Sequence, residues 1–201
     1  MRLRNIPNAK EKLLESEYLI KNFPIEINEN TVLEMGMGKG EMLVELANKN
    51  PHIMYIGIEK YPTVALKSMK KAEKLKLKNF KIINQDIIKL PDLINGKTNL
   101  IWLTFSDPWP KKRHAKRRLT HKIFLDIYKS LLSENGILKF KTDNDFLFQY
   151  SIESLNEYGA KIINSTNDFH NSNLSEGNVM TGYEKKWSEN GKKINYLEVK
   201  F

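Results

Sequence analysis

Residues 31–50 read TVLEMGMGKGEMLVELANKN. The beginning, TVLEMG at 31–36, is an apolar run of strand length, and the end, EMLVELANKN at 41–50, has helical spacing. Between them Gly36, Gly38 and Gly40 alternate with larger residues. Glycines at alternate positions let a chain turn tightly and bring backbone N–H groups close to a ligand. The spacing is G-x-G-x-G, whereas the dinucleotide fingerprint would require a glycine where Glu41 stands. A phosphate-cradling loop is also excluded, because Lys39 is followed by Gly40 and not by Ser or Thr. The GKT at 96–98 lacks that motif's first glycine, whose position holds Pro91.

The strand–turn–helix rhythm continues on the C-terminal side. IMYIGIE (53–59) reads as a second strand, followed by a helix from Pro62 to about Lys76, with the proline suited to the first helical turn. FKIINQD (80–86) is a third strand and NLIWLTFSD (99–107) a fourth. THKIFLDIYKSLL (120–132) is helical, with Thr120 as N-cap and Asn135-Gly136 as the stop. ILKFKTD (137–143) is a fifth strand, and DFLFQYSIESLNEYG (145–159) a helix closed by Gly159. AKIINST (160–166) and INYLEVKF (194–201) finish the chain as two strands in an antiparallel, hairpin-like arrangement, separated by a polar loop and a short helical segment. Strands alternating with helices imply a mostly parallel sheet covered on both faces, here an α/β fold of seven strands with an antiparallel C-terminal strand. Residues 1–30 carry only a weak helical pattern and read as a basic N-terminal extension to a core at 31–201, within a single domain.

Composition narrows the chemistry. With no Cys, thiolate catalysis and disulfides are out. His52, His114, His121 and His170 have no metal-ligand spacing, so no metal is expected. No apolar run approaches the ~20 residues of a membrane span, and the start lacks a secretory h-region, so a cytoplasmic location is expected. The formal net charge of +9 suggests a polyanionic partner. Every Arg lies in one of two places: Arg2 and Arg4, or Arg113, Arg117 and Arg118. Arg forks onto phosphate as Lys cannot, so both places read as functional patches rather than as a Lys-rich background.

Ligands of such sheets bind at the carboxyl ends of the strands. The first strand carries Glu34 beside the glycine loop, and the next three end at Glu59, Asp86 and Asp107. Unpaired acids gathered on one rim repel one another, so structure alone explains them poorly. Asp107 opens SDPWPKKRHAKRR (106–118), a stiff Pro-Trp-Pro turn ahead of a basic run.

The segment VLEMGMGKG, then Glu59, then NQD ending at Asp86, resembles the cofactor core of Rossmann-like S-adenosylmethionine-dependent methyltransferases. FSDPWPKKRHAKRRL, KTDN (141–144) and TGYEKKW (181–187) resemble one family closely, the bacterial tRNA (guanine-N7-)-methyltransferases, which modify guanine 46 in the variable loop. The resemblance implies cofactor contacts at Glu34, Gly36, Gly38, Glu59, Asp86 and Asp107, with Asp107 catalytic. It implies substrate contacts at Lys111, Asp143, Thr181, Gly182, Tyr183 and Glu184, and tRNA contacts at Arg113, His114, Ala115, Lys116, Arg117 and Arg118. Asp143 or Glu184 is expected to accept from guanine N1–H and N2–H₂. Trp102 and Trp187 are expected to pack, as is the helix face of Phe124, Leu125 and Tyr128. Met35 and Met37 show no need for their particular side chains. The runs 111–118 and 171–178 are expected to be mobile without RNA. Two rivals stay open: a methyltransferase acting on a base amino group, and a non-catalytic RNA-binding subunit. Monomer and homodimer stay open too.

Overall fold

The computed structural model describes residues 6–201, so Arg2 and Arg4 lie outside the described residues. The elements in chain order are α1 (Ala9–Leu14), β1 (Ile25–Ile27), β2 (Thr31–Met35), α2 (Glu41–Lys49), β3 (Met54–Ile58), α3 (Pro62–Lys74) and β4 (Phe80–Ile83). Then come β5 (Ile94–Gly96), β6 (Thr98–Thr104), α4 (Lys122–Leu131), β7 (Leu132–Thr142), α5 (Asp145–Tyr158), β8 (Lys161–Thr166), α6 (Gly182–Glu189) and β9 (Asn195–Lys200). The main sheet has seven strands in the order β4-β3-β2-β6-β7-β9-β8. β4, β3, β2, β6 and β7 pair in parallel, and β9 runs antiparallel between β7 and β8. The strand order reverses between β2 and β6, the switch point at which open α/β sheets bind ligands.

Side chains alternate across the sheet, and each face has its own core. Leu33, Met35, Ile56, Ile58, Ile101 and Leu103 pack with Phe124, Leu125 and Tyr128 of α4 and with Leu147 and Phe148 of α5. Val32, Tyr55, Phe80 and Ile82 face the other way, onto Leu43 and Val44 of α2, Leu66 and Met69 of α3, and Leu13 of α1. Farther along this second face, Phe169, Ile194 and Tyr196 form a small cluster against Trp102 and Phe105.

Some local expectations change. β6 ends at Thr104, short of Asp107, because the chain leaves the sheet at Phe105, whose φ is 49°. The N-cap of α4 is His121, whose Nδ1 accepts from Ile123 N–H; Thr120 is instead buried against Ser151. Asn135-Gly136 lies within β7 and does not stop the helix, because the chain passes directly from α4 into β7. Residues 112–117 form a 3₁₀ segment, and further 3₁₀ turns at 169–171 and 173–175 organise the polar stretch before α6. A small parallel pair, β1 with β5, has no counterpart in the sequence reading. No described helix is long and apolar enough to cross a membrane.

Candidate active site

The loop after β2 is shaped by its glycines, with φ of 71° at Gly36, 59° at Gly38 and 62° at Gly40. Only glycine takes such angles without strain. Gly36 and Met37 both donate backbone N–H groups to Ile58 O, at 2.9 and 3.0 Å, which ties the loop to the end of β3. Met37 is buried, and a Cβ on Gly57 would lie 1.9 Å from its sulfur. The Met37 side chain therefore fills a notch that Gly57 leaves open, a specific role that the sequence did not reveal.

Beside this loop lies a cleft of about 590 Å³, lined by Gly36, Glu59, Asp86 and Asp107 and also by Phe105, Trp109, Lys116 and Arg117. Glu59 accepts from Gly38 N–H (3.2 Å) and Tyr61 N–H (2.9 Å), so it also braces the glycine loop. Burial is the main cause that raises its pKa. Asp86 caps the following 3₁₀ segment by accepting from Ile88 N–H at 3.2 Å, and its other oxygen lies 3.9 Å from Lys60. Tyr61, Ile87, Ile88 and Leu119 also line the wall. The sequence reading missed these four, since an apolar or aromatic residue after a strand carries no mark of what it faces.

Glu34 is 1% exposed and does not line the cleft. Thr104 donates to its Oε1 at 2.5 Å, and Oε2 has no partner among the described residues. Burial pushes its pKa up to about 7, against the pull of the Thr104 hydrogen bond and the Lys141 charge. An unfolded glutamate titrates near 4.3, so between there and about 7 the folded state holds the extra proton. Stability should therefore fall as pH rises through that window. Without ligands, Glu34→Gln should be more stable than wild type by about 1–3 kcal/mol at pH 8, with the gain vanishing toward pH 4.5. Thermal melts of both proteins across that range check this; a pH-independent difference would contradict it.

The turn carrying Asp107 is held from behind. Arg118 donates from Nε to Pro108 O and Trp109 O, both at 3.2 Å, and from Nη2 to Trp109 O at 2.9 Å. Its guanidinium stacks 4.1 Å from the Tyr150 ring and 4.8 Å from that of Phe146, both on α5. At 3% exposure Arg118 does not reach out to RNA. It is a clamp, because the DPWP carbonyls use its fork and α5 covers its plane. Arg117 behaves differently. It is exposed, and its guanidinium lies 4.7 Å over Trp109, whose ring also meets His114 edge-on. Lys111 and Arg113 are exposed, and Ala115 is half-buried in the same segment. Trp109 takes a φ of 42°, so residues with left-handed backbone lie on both sides of Asp107. Such strain persists only where surrounding contacts enforce it, as Arg118 does here.

The TGYEKKW segment becomes the N-terminal part of α6, with Thr181 and Glu184 forming a capping box. Tyr183 stands 5.4 Å from the Phe105 ring and donates its hydroxyl to Asp143 Oδ2 at 3.1 Å; Phe105 lines the cleft, whereas Tyr183 and Asp143 lie behind it, off the wall. Gly182 N–H donates to Glu41 at 2.6 Å. Trp187 is exposed with its ring 6.0 Å from Tyr183, in place of the packed position expected. Glu184 departs most from the sequence reading. It is fully buried, and its oxygens are taken by Lys141 and His170 (both 2.8 Å), Asn178 Nδ2 (3.1 Å) and Thr181 N–H (3.2 Å). It has no lone pair left for a base, so the guanine-acceptor role expected of it does not stand.

Residues 28–197 match the profile of a family described as "Putative methyltransferase". The chain is 56% identical over 201 residues to a tRNA (guanine-N(7)-)-methyltransferase of Mycoplasmopsis pulmonis (strain UAB CTIP), covering 100% of this chain and 99% of that one. A protein of the same name from Mesomycoplasma hyopneumoniae (strain 7448) is 52% identical, with both chains covered completely. Among solved structures, the 16S rRNA methyltransferase KamB superposes with a TM-score of 0.63 over 98% of this chain and 94% of that one, at 13% identity. Magnesium protoporphyrin IX methyltransferase from Synechocystis PCC 6803, solved with bound SAM, has a TM-score of 0.52 at 14% identity, covering 84% of this chain and 68% of that one. At such identities the likeness is one of fold.

Proposed function

Since this chain belongs to the tRNA (guanine-N7-)-methyltransferases, we propose that it methylates guanine 46 of the tRNA variable loop in the cytoplasm, using S-adenosylmethionine held in the cleft beside the glycine loop. The observation that carries this reading is the cleft, whose wall brings Glu59, Asp86 and Asp107 together with the basic Lys116 and Arg117. These residues fit the cofactor. Glu59 and Asp86 keep acceptor capacity for ribose hydroxyls and an adenine amino group. Glu34, buried and away from the cleft wall, is not one of these groups. When bound, the cofactor supplies an electrophilic methyl group on a sulfonium.

The protein's part is to orient and to stabilise charge. Guanine N7 has a free lone pair and no proton to lose, so Asp107 has no need to act as a base. Its carboxylate opposes the positive charge that builds on the purine. Asp143, steadied by Tyr183, accepts from the base edge, and Arg113, Lys116 and Arg117 hold phosphates. Incubation with tRNA and labelled cofactor, followed by chemical cleavage at N7-methylguanine, tests the reading. One cleavage at position 46 supports it; cleavage at another guanine overturns the position, and no cleavage overturns the reading.

Arg117 and Arg118 separate phosphate binding from positioning. Arg117→Ala should weaken tRNA binding similarly across tRNA sequences and lower the slope of log affinity against log salt by about 1. Arg118→Lys should leave that slope unchanged and reduce kcat by on the order of 10²-fold, because a point charge cannot hold both carbonyls of the turn. Filter binding across salt concentrations and single-turnover rates read the two effects.

A further inference from the structure

β7 places Lys139 and Lys141 on the sheet face opposite Leu138 and Phe140, and Lys141 is fully buried. Its ammonium pairs with Glu184 at 2.8 Å, donates to Asn178 Oδ1 at 3.0 Å and Val179 O at 3.3 Å, and lies 5.3 Å over the Trp102 ring. His170 Nε2 holds the other oxygen of Glu184, and its Nδ1 meets Ser188 Oγ of α6 at 2.9 Å. One buried ammonium thus gathers β7, the 169–179 stretch and α6. None of these groups touches the cleft.

The same two segments meet again at the surface. Two residues beyond Lys141 stands Asp143, one residue before Glu184 stands Tyr183, and the phenol donates to Asp143 Oδ2. Asp143 Oδ1 has no partner among the described residues. Lys141 O also accepts Phe105 N–H at 2.9 Å, which fixes the residue whose ring supports Tyr183. We propose that the Lys141–Glu184 pair is a positioning device: it seats α6 so that Tyr183 grips one oxygen of Asp143 and leaves the other presented to the guanine 2-amino group. Glu184 and Lys141 are positioning residues, and selectivity for guanine reaches the base through Tyr183 and Asp143. This rests on Asp143 being the guanine acceptor. The phenol remains a donor, since burial and then the Asp143 charge raise its pKa.

The test compares each enzyme on two transcripts, one with guanine and one with inosine at the methylated position. Inosine keeps N7 and lacks the 2-amino group. Partial unfolding of a variant lowers both single-turnover rates alike and cancels in their ratio. Wild type should prefer guanine, and Asp143→Ala should reduce that preference about tenfold. Tyr183→Phe, which keeps the ring and loses only the hydroxyl, should lower the ratio toward the Asp143→Ala value, and Glu184→Gln should lower it in the same direction. A wild-type enzyme without preference, or an unaltered ratio in Asp143→Ala, would overturn the guanine-acceptor reading itself. With that reading intact, a wild-type ratio in Tyr183→Phe or in Glu184→Gln would overturn the positioning device.

Discussion

Asp107→Ala should slow single-turnover methyl transfer by roughly 10²- to 10³-fold, the usual cost of losing one preorganised stabilising group, while tRNA affinity falls far less. The carboxylate is exposed at the cleft and has no hydrogen-bond partner among the described residues. It is therefore free to face charge as that charge develops. Asp107→Asn should be impaired nearly as much, because it retains the shape and loses the charge. The wild-type transfer step should proceed at the same rate in H₂O and D₂O, since no proton is in flight. A large solvent isotope effect that disappears in Asp107→Asn would mean general-base catalysis. That outcome would favour methylation of an amino group, whose nitrogen must lose a proton. Quench-flow with labelled cofactor in both solvents reads the rates, and filter binding reads the affinity.

The second large effect is on stability. Both Lys141 and Glu184 are wholly buried, so removing one leaves the other as an uncompensated charge. Lys141→Met or Glu184→Leu alone should destabilise the fold by about 3–5 kcal/mol, lowering Tm by on the order of 10 °C. The double variant Lys141→Met/Glu184→Leu should recover much of that loss, because well-packed apolar groups avoid the desolvation penalty. Urea unfolding of the four proteins checks the cycle; additive losses would show that the two groups do not act as a pair. Burial pulls the Lys141 ammonium below the usual lysine range. Burial also opposes ionisation of Glu184, but Lys141, His170 and Asn178 outweigh it and hold the carboxyl below its ordinary value.

Much of the scaffold was readable along the chain because its causes are local. Alternating apolar residues mark a strand wherever they occur, Pro62 suits a first helical turn, and the glycines at 36, 38 and 40 adopt the positive φ for which glycine is needed. The strand-end acids Glu59, Asp86 and Asp107 line the cleft because parallel strands bring their carboxyl ends to one edge. The same rule did not bring Glu34 to the wall, since it lies within β2, one residue short of the end of that strand.

What lies beyond local reach is the fate of individual charges. Arg117 and Arg118 are neighbours in one basic run, yet one is exposed and the other is sealed beneath Tyr150 and Phe146. Asp143 and Glu184 both read as acceptors for guanine, yet only Asp143 keeps a free oxygen. One signal was visible: ILKFKTD sets lysines at alternate positions of a buried strand, and a buried lysine requires an acid. The chain does not say which acid. By itself the sequence determined the alternation of strands and helices, the glycine turn and the ends where ligands bind, because these follow from the chemistry of adjacent residues. Only the tertiary structure decided which charges bind and which brace, because solvation of a side chain depends on what distant segments lay over it.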